Sequence, residues 1–243
     1  MSLSKALTAA AGNAGGEQAI IEDLSFNNFQ FNTAGGAGSY NTDSVIPVIN
    51  IYPSGYDASI SFDGTNNGYI TIANKTFLDD SLSKWQFECF FRINNNQNSG
   101  DMGIIVDQYL NGASGRLLFG WQDNAIVMRV NGGTVYLTSS GSVTMTTNTW
   151  YHVCLNYDGT NHRLFVNGTL CGSNSSVPSI YTGLDTSFGG QSGSYLDGYD
   201  LDGYLQAIHV QWNPSTVRTS SFTPPTTITT GSGTELLIVA SAT

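Results

Sequence analysis

The spacing of apolar residues is the strongest constraint on this chain. From Ile20 onward they recur at every second position within short runs, and no later window shows a convincing helical period. In KWQFECFFRI, Trp85, Phe87, Cys89, Phe91 and Ile93 fall on one face; in GYITIA, Ile70 and Ile72 oppose Tyr69 and Thr71. Roughly a dozen such runs follow one another, separated by Gly, Asn, Asp and Ser clusters. The clusters supply residues that tolerate positive φ: Asp123–Asn124, Asn131–Gly133, Asp158–Asn161 and Asn167–Thr169. Period two without helices predicts an all-β fold, an antiparallel sandwich or barrel.

One stretch tests whether polar residues within these runs signal chemistry. TNTWYHVCLNYDGTNHRLFVNG, residues 147–168, gathers His152, Cys154, Asp158 and His162. Alternation puts Tyr151, Val153, Leu155 and Tyr157 on one face and Trp150, His152, Cys154 and Asn156 on the other, with a turn opening at Asp158–Gly159. Period two accounts for each residue, so the reading is a hairpin with structural histidines. His152 and Cys154 sit about 6.5–7 Å apart along a strand, which suits a shared metal only if further ligands converge, and no CxxC pair is present.

The 243 residues fit one β domain over 20–243, preceded by a Gly/Ala-rich arm over 1–19 that is either disordered or docks on a partner. Charged residues make up 11%, against about 25% in ordinary globular proteins, so the surface is largely Ser, Thr, Asn and Gly. A net charge of −10 disfavours nucleic acid, anionic lipid and sulfated glycans, and leaves neutral sugars, cations and protein surfaces as partners. Three cysteines, Cys89, Cys154 and Cys171, all in strand-like runs, read as buried free thiols before a bridge. The opening residues carry no run suited to a signal peptide, and no stretch reaches the roughly 18 apolar residues of a membrane span. Synthesis in a cytosol without membrane insertion is therefore expected.

Five segments in order, SISFDGTNNGYITIAN, WQFECFFRI, TNTWYHVCLNYDGTNHRLFVNGTLCGS, SFGG and LDGYLQAIHVQW, resemble the laminin G-like domains of the concanavalin A-like lectin/glucanase superfamily. The resemblance covers about Ala58–Trp212 and implies a jelly roll of two antiparallel sheets. The tail SSFTPPTTITTGSGTELLIVAS is similar to the ends of such domains in phage tail-fibre and virion proteins, where a Phe-x-Pro-Pro segment leads to a last strand beside the first. The opening SLSKALTAAAGNAGGE has a similar flavour to the start of phage structural proteins. This implies a non-enzymatic virion protein, capsid decoration or tail fibre, made in the host cytoplasm. Its arm would join other virion proteins, its sandwich would adhere to host-surface glycan, and it would be a homo-oligomer, as virion fibres often are. A free lectin module is the alternative. Two departures stand out: Cys154 where the family has Ala or Val, and Leu205–Gln206 where it often has Asp-Glu.

The glucanases of the superfamily use Glu-x-Asp-x-x-Glu on one strand. This chain has only Glu17, Glu22, Glu88 and Glu235, no strand carries that run, and Glu88 matches a Glu of the non-catalytic domains. No catalytic residue is expected. Lectin-like jelly rolls often bind Ca²⁺, and hard oxygen ligands on a Gly-rich loop suit it. The acidic run YLDGYDLDGY names Asp197, Asp200 and Asp202, with Asp63 and Asp107 as weaker candidates, although Asp-Gly is also an ordinary turn dipeptide. Sugar sites combine aromatic faces with Asn, Asp and backbone donors. Tyr195, Tyr199, Trp121 and Tyr109, with Asp197, are the candidates, core packing being the competing reading; Tyr204 is a further strand-end aromatic.

Overall fold

The computed structural model describes backbone and side chains over 53–64, 68–72, 75–95, 101–109, 116–131, 134–180, 183–191 and 199–240, and the backbone of four strands before them. Strands are numbered along the chain. One sheet of nine runs in the order β1 (Ala19–Ile21), β17 (Thr234–Ile238), β16 (Asp202–Trp212), β7 (Trp85–Ile93), β12 (Tyr151–Tyr157), β13 (His162–Val166), β14 (Thr169–Asn174); β5 (Ser59–Asp63) pairs with β16, and β4 (Val45–Val48) pairs with β5. The second sheet, of eight, runs β11 (Thr134–Thr138), β10 (Ala125–Val130), β9 (Leu117–Gln122), β8 (Gly103–Tyr109), β15 (Asp185–Phe188), β6 (Ile70–Ile72), β3 (Gly36–Tyr40), β2 (Gln30–Thr33). Every pairing is antiparallel except β1 with β17, so the last strand lies beside the first. This is the expected two-sheet jelly roll.

The two inner faces meet in one apolar core, built by the predicted alternation. Trp85, Phe87, Cys89, Phe91 and Ile93 of β7 enter it, as do Tyr151, Val153 and Leu155 of β12. Phe87 bridges the layers: its ring is 5.8 Å from Phe119 of β9, edge-on, and 6.4 Å from Phe188 of β15, stacked. Phe91 meets Trp121 of β9 at 6.1 Å. Each of these rings is fully buried, and burial of such a side chain contributes about 1.5–3 kcal/mol.

The described turns behave as read; Gly132 and Gly133 of the Asn131–Gly133 turn lie outside the described residues. Asp123 and Asn124 (φ 50° and 61°) join β9 to β10, and Asn167 and Gly168 (φ 46° and 75°) join β13 to β14, two-residue hairpins of the primed kind. Asp158 closes its turn by accepting from the Thr160 and Asn161 N–H groups and pairing with Arg163. Cys89 lies in the core while Cys154, the cross-strand partner of Glu88, belongs to the other face; all three cysteines are free thiols, Cys171 half-buried.

β16 changes partner midway. Asp202–Leu205 pair with β5, and Ile208–Gln211 pair with β17. The change occurs at a bulge around Ala207, whose φ is 54°. After β16 the chain crosses back over the outer face of the nine-stranded sheet as a strap, residues 213–233, before entering β17. The strap is fixed by Phe222 N–H on Gly168 O, Asn156 Nδ2 on Arg218 O and Ile228 N–H on the Tyr56 hydroxyl.

Candidate functional site

The outer face of the nine-stranded sheet carries two polar assemblies. The first stands at the end of the sandwich where β7 finishes and β16 begins. Asn94 donates its backbone N–H to Asp202 O and its Nδ2 to Asp202 Oδ1, both at 2.9 Å, and Asn95 Nδ2 donates to Oδ2 at 2.6 Å. Asn148, held at φ 61°, donates its N–H to Ile93 O and its Nδ2 to Asn94 O, and accepts from Arg92 Nη2 at 2.8 Å. Cross-strand pairing sets Tyr204 beside Arg92, whose guanidinium lies 5.3 Å from the ring centroid. The Trp150 ring is 6.2 Å from Tyr204. Both aromatics are half-exposed and Asn95 and Asn148 are exposed. Two partly exposed aromatic rings thus sit beside a planar cation, three amides and a carboxylate held by mutual hydrogen bonds.

The second assembly is a buried node under the strap. Glu88 Oε2 meets His152 Nε2 at 3.1 Å and Oε1 meets His209 Nδ1 at 3.2 Å; His209 Nε2 in turn lies 2.9 Å from Thr234 Oγ1. Arg218 Nη2 approaches Glu88 at 3.8 Å while its guanidinium lies 3.8 Å over Phe222. Burial alone would raise the Glu88 carboxyl, but the His152 and His209 hydrogen bonds and charges outweigh it and hold it at about 2. The ionised carboxylate accepts a hydrogen bond from each imidazole, and the second ring nitrogen of His209 bonds Thr234 Oγ1. Cys154, beside this anion and buried, is pushed well up and stays a thiol, first by burial and then by Glu88. A groove of about 540 Å³ opens above the node, walled by the strap.

Among the described residues, the acids and aromatics named from the sequence do not form one site. Trp121 is fully buried in the core, so it is a packing residue and presents no face to a sugar. Tyr109 is half-buried beneath the Arg116 guanidinium (4.7 Å), which also clamps Asp107 through two hydrogen bonds. Burial pushes the Asp107 carboxyl up to about 6 against the lowering effect of Arg116. Tyr199 packs on Met102, Ile104, Leu118 and Val127. Tyr195 and Asp197 lie outside the described residues. For calcium, Asp202 has each oxygen engaged by an asparagine amide, Asp200 is buried, and Asp63 is exposed on the strand opposite Asp202. Among the described residues no three His, Cys, Asp or Glu side chains group to hold a metal. The described acids therefore do not fit a Ca²⁺ centre.

Sequence reasoning read His152 as structural and missed its partners. Glu88, His152 and His209 are far apart along the chain, and only the pairing of β7 with both β12 and β16 brings them together, His209 opposite Glu88 and His152 diagonal to it. Arg92, Asn94, Asn95, Asn148 and Trp150 were likewise missed. Part of their signal was available: a run of asparagines, 94–96, directly after the aromatic-rich β7.

The sequence matches the family described as the concanavalin A-like lectin/glucanases superfamily, of laminin G-like type, over residues 63–234. No curated protein matches the chain. Among solved structures it is similar to the binding domain of Paraclostridial Mosquitocidal Protein 1 (16% identity, TM-score 0.51, covering 69% of this chain and 43% of that one). It is also similar to domain 4 of AbnA, a GH43 extracellular arabinanase from Geobacillus stearothermophilus in complex with arabinotriose (11% identity, TM-score 0.52, 73% and 81%). A third is a Trypanosoma rangeli sialidase (12% identity, TM-score 0.50, 72% and 27%). The chain thus spans less than half of the first and third structures, and likeness at these identities establishes fold. With the sequence match covering more than half of its length, the chain belongs to the concanavalin A-like lectin/glucanases superfamily, as a laminin G-like jelly roll.

Proposed function

We propose that this jelly roll is a non-enzymatic glycan-binding module carried on a virion. The observation that carries the binding reading is the half-exposed pair Trp150–Tyr204, flanked by Arg92, Asn95, Asn148 and Asp202. A pyranose offers one apolar face and a rim of hydroxyls. Two aromatic faces with preset amide and carboxylate partners complement it, and the mutual hydrogen bonds reduce the ordering cost of binding. The non-enzymatic part is supported by the surroundings of Glu88, which bonds two histidines; no second carboxylate joins it among the described residues, whereas glycoside hydrolysis needs a pair. The arabinanase domain solved with arabinotriose offers a precedent for a sugar on this fold. The virion part rests on the resemblance of the opening and closing segments to phage structural proteins, and includes attachment through residues 1–19 and self-association.

A glycan array probed with the purified chain, with and without Ca²⁺, tests binding. Retained glycans are expected in both conditions, and Tyr204→Ala should lose them by roughly tenfold or more, as for an interface aromatic. Blank arrays would remove the reading. Mass spectrometry of purified particles tests the location: a fixed copy number per particle is expected, and recovery only as free protein would overturn it.

A further inference from the structure

We propose that the groove under the strap is a second binding site, for a saccharide bearing a single carboxylate, seated on Arg218. The groove holds about 540 Å³, within the usual size of small-ligand pockets, and is walled by strap hydroxyls such as Ser215, Thr219 and Thr229 over a floor of Gln86, Glu88 and Gln211. Arg218 is the only Lys or Arg among its lining residues, with about a third of the side chain open (32%). Its guanidinium lies 3.8 Å over the Phe222 ring, a contact that restrains it before a ligand arrives. Glu88 does not satisfy it: 3.8 Å is beyond hydrogen-bond range, both carboxylate oxygens are engaged by histidines, and Arg218 Nε, itself buried, is without a partner. Gln86, 4% exposed, also holds an unpartnered Oε1 at the floor.

A preset guanidinium with unused donors, surrounded by hydroxyls and amides, suits a carboxylate attached to a polyol. The ionised Glu88 beside it sets the charge limit. A monoanion gains from Arg218 at little cost, whereas a phosphate or sulfate dianion meets the repulsion of Glu88 with no second lysine or arginine in the lining. This site is independent of the Trp150–Tyr204 patch, which lies on another part of the outer face.

The test is titration of the full chain with millimolar glucuronate, its methyl ester and glucose, followed by chemical shifts of labelled protein. Glucuronate should bind and perturb groove residues. The ester and glucose should bind roughly tenfold to a hundredfold more weakly, the loss of one charge-assisted contact. Arg218→Gln should abolish the preference, and Arg218→Lys should retain part of it. Equal binding of acid and ester would overturn the proposal without use of a variant, as would no binding, or shifts confined to Trp150 and Tyr204. Loss of array binding in Tyr204→Ala with glucuronate binding intact would keep the two sites distinct.

Discussion

Gln206 and Ala240 are joined by two hydrogen bonds: Gln206 Nε2 donates to Ala240 O at 2.7 Å, and Ala240 N–H donates to Gln206 Oε1 at 2.9 Å. The same Nε2 donates to Ala58 O at 2.9 Å, and Oε1 also accepts from Ala207 N–H. The side chain is fully buried at the point where β16 leaves β5 for β17, and it satisfies backbone groups that the bulge releases from both ladders. A carboxylate, which the resemblance leads one to expect here, has no hydrogen to give. Gln206→Glu is therefore expected to cost about 3 kcal/mol or more in urea unfolding at neutral pH, with partial recovery in acid as the carboxyl protonates. A change below about 0.5 kcal/mol would show that these carbonyls do not need the amide.

Stability should peak on the acid side of neutrality. Glu88 is held at about 2 against an ordinary 4.5, so the unfolded chain takes up more protons between those values, and stability falls as pH drops through that window. Asp107 works in the opposite sense. Its carboxyl, raised by burial from 3.8 to about 6, binds protons more readily folded, so stability also falls as pH rises from about 4 to 6. Urea midpoints measured across pH should give a maximum near pH 4–5 from these two groups. Asp107→Asn, though less stable overall, should flatten the upper limb and leave the lower one. An unchanged upper limb would assign it elsewhere.

Gly168 fixes where the strap lands. Its φ is 75°, and a Cβ there would stand 1.9 Å from Phe222 O, backbone that cannot swing aside. Gly168 O also accepts the Phe222 N–H. Gly168→Ala should displace the strap, with faster amide exchange around Phe222 and a loss of about 1–3 kcal/mol. Unaltered protection at Phe222 would contradict this.

Alternation made most of the sandwich legible, because a residue's face depends only on its position along its own strand. The β7 and β12 faces and the hairpin turns at Asp123–Asn124 and Asn167–Gly168 needed nothing more. The site was less legible because it depends on pairing. Glu88 meets His209 across 121 residues of sequence, and Asp202 meets Asn94 across 108. Trp121 shows the limit of local reading: a Trp near a turn resembles an exposed aromatic, and only the sheet-to-sheet contact with Phe91 reveals it as core. Gln206 looked like the loss of an acid; its use became visible only with Ala58 and Ala240 in place.

The two tryptophans separate packing from binding. Trp121 is fully buried against Phe91, so Trp121→Phe leaves a void and should lower stability by about 1–3 kcal/mol while glycan binding at the rim stays the same. Trp150 is half-exposed and touches the small cluster of Phe90, Ala207, Ile228 and Leu237 at its edge. Trp150→Ala should cost about 1 kcal/mol in stability yet weaken glycan binding roughly tenfold or more, since its open face is lost. Thermal unfolding and binding measured on both variants distinguish the roles. If binding tracks stability in both proteins, the Trp150–Tyr204 pair is a packing contact and the glycan site lies elsewhere on the jelly roll.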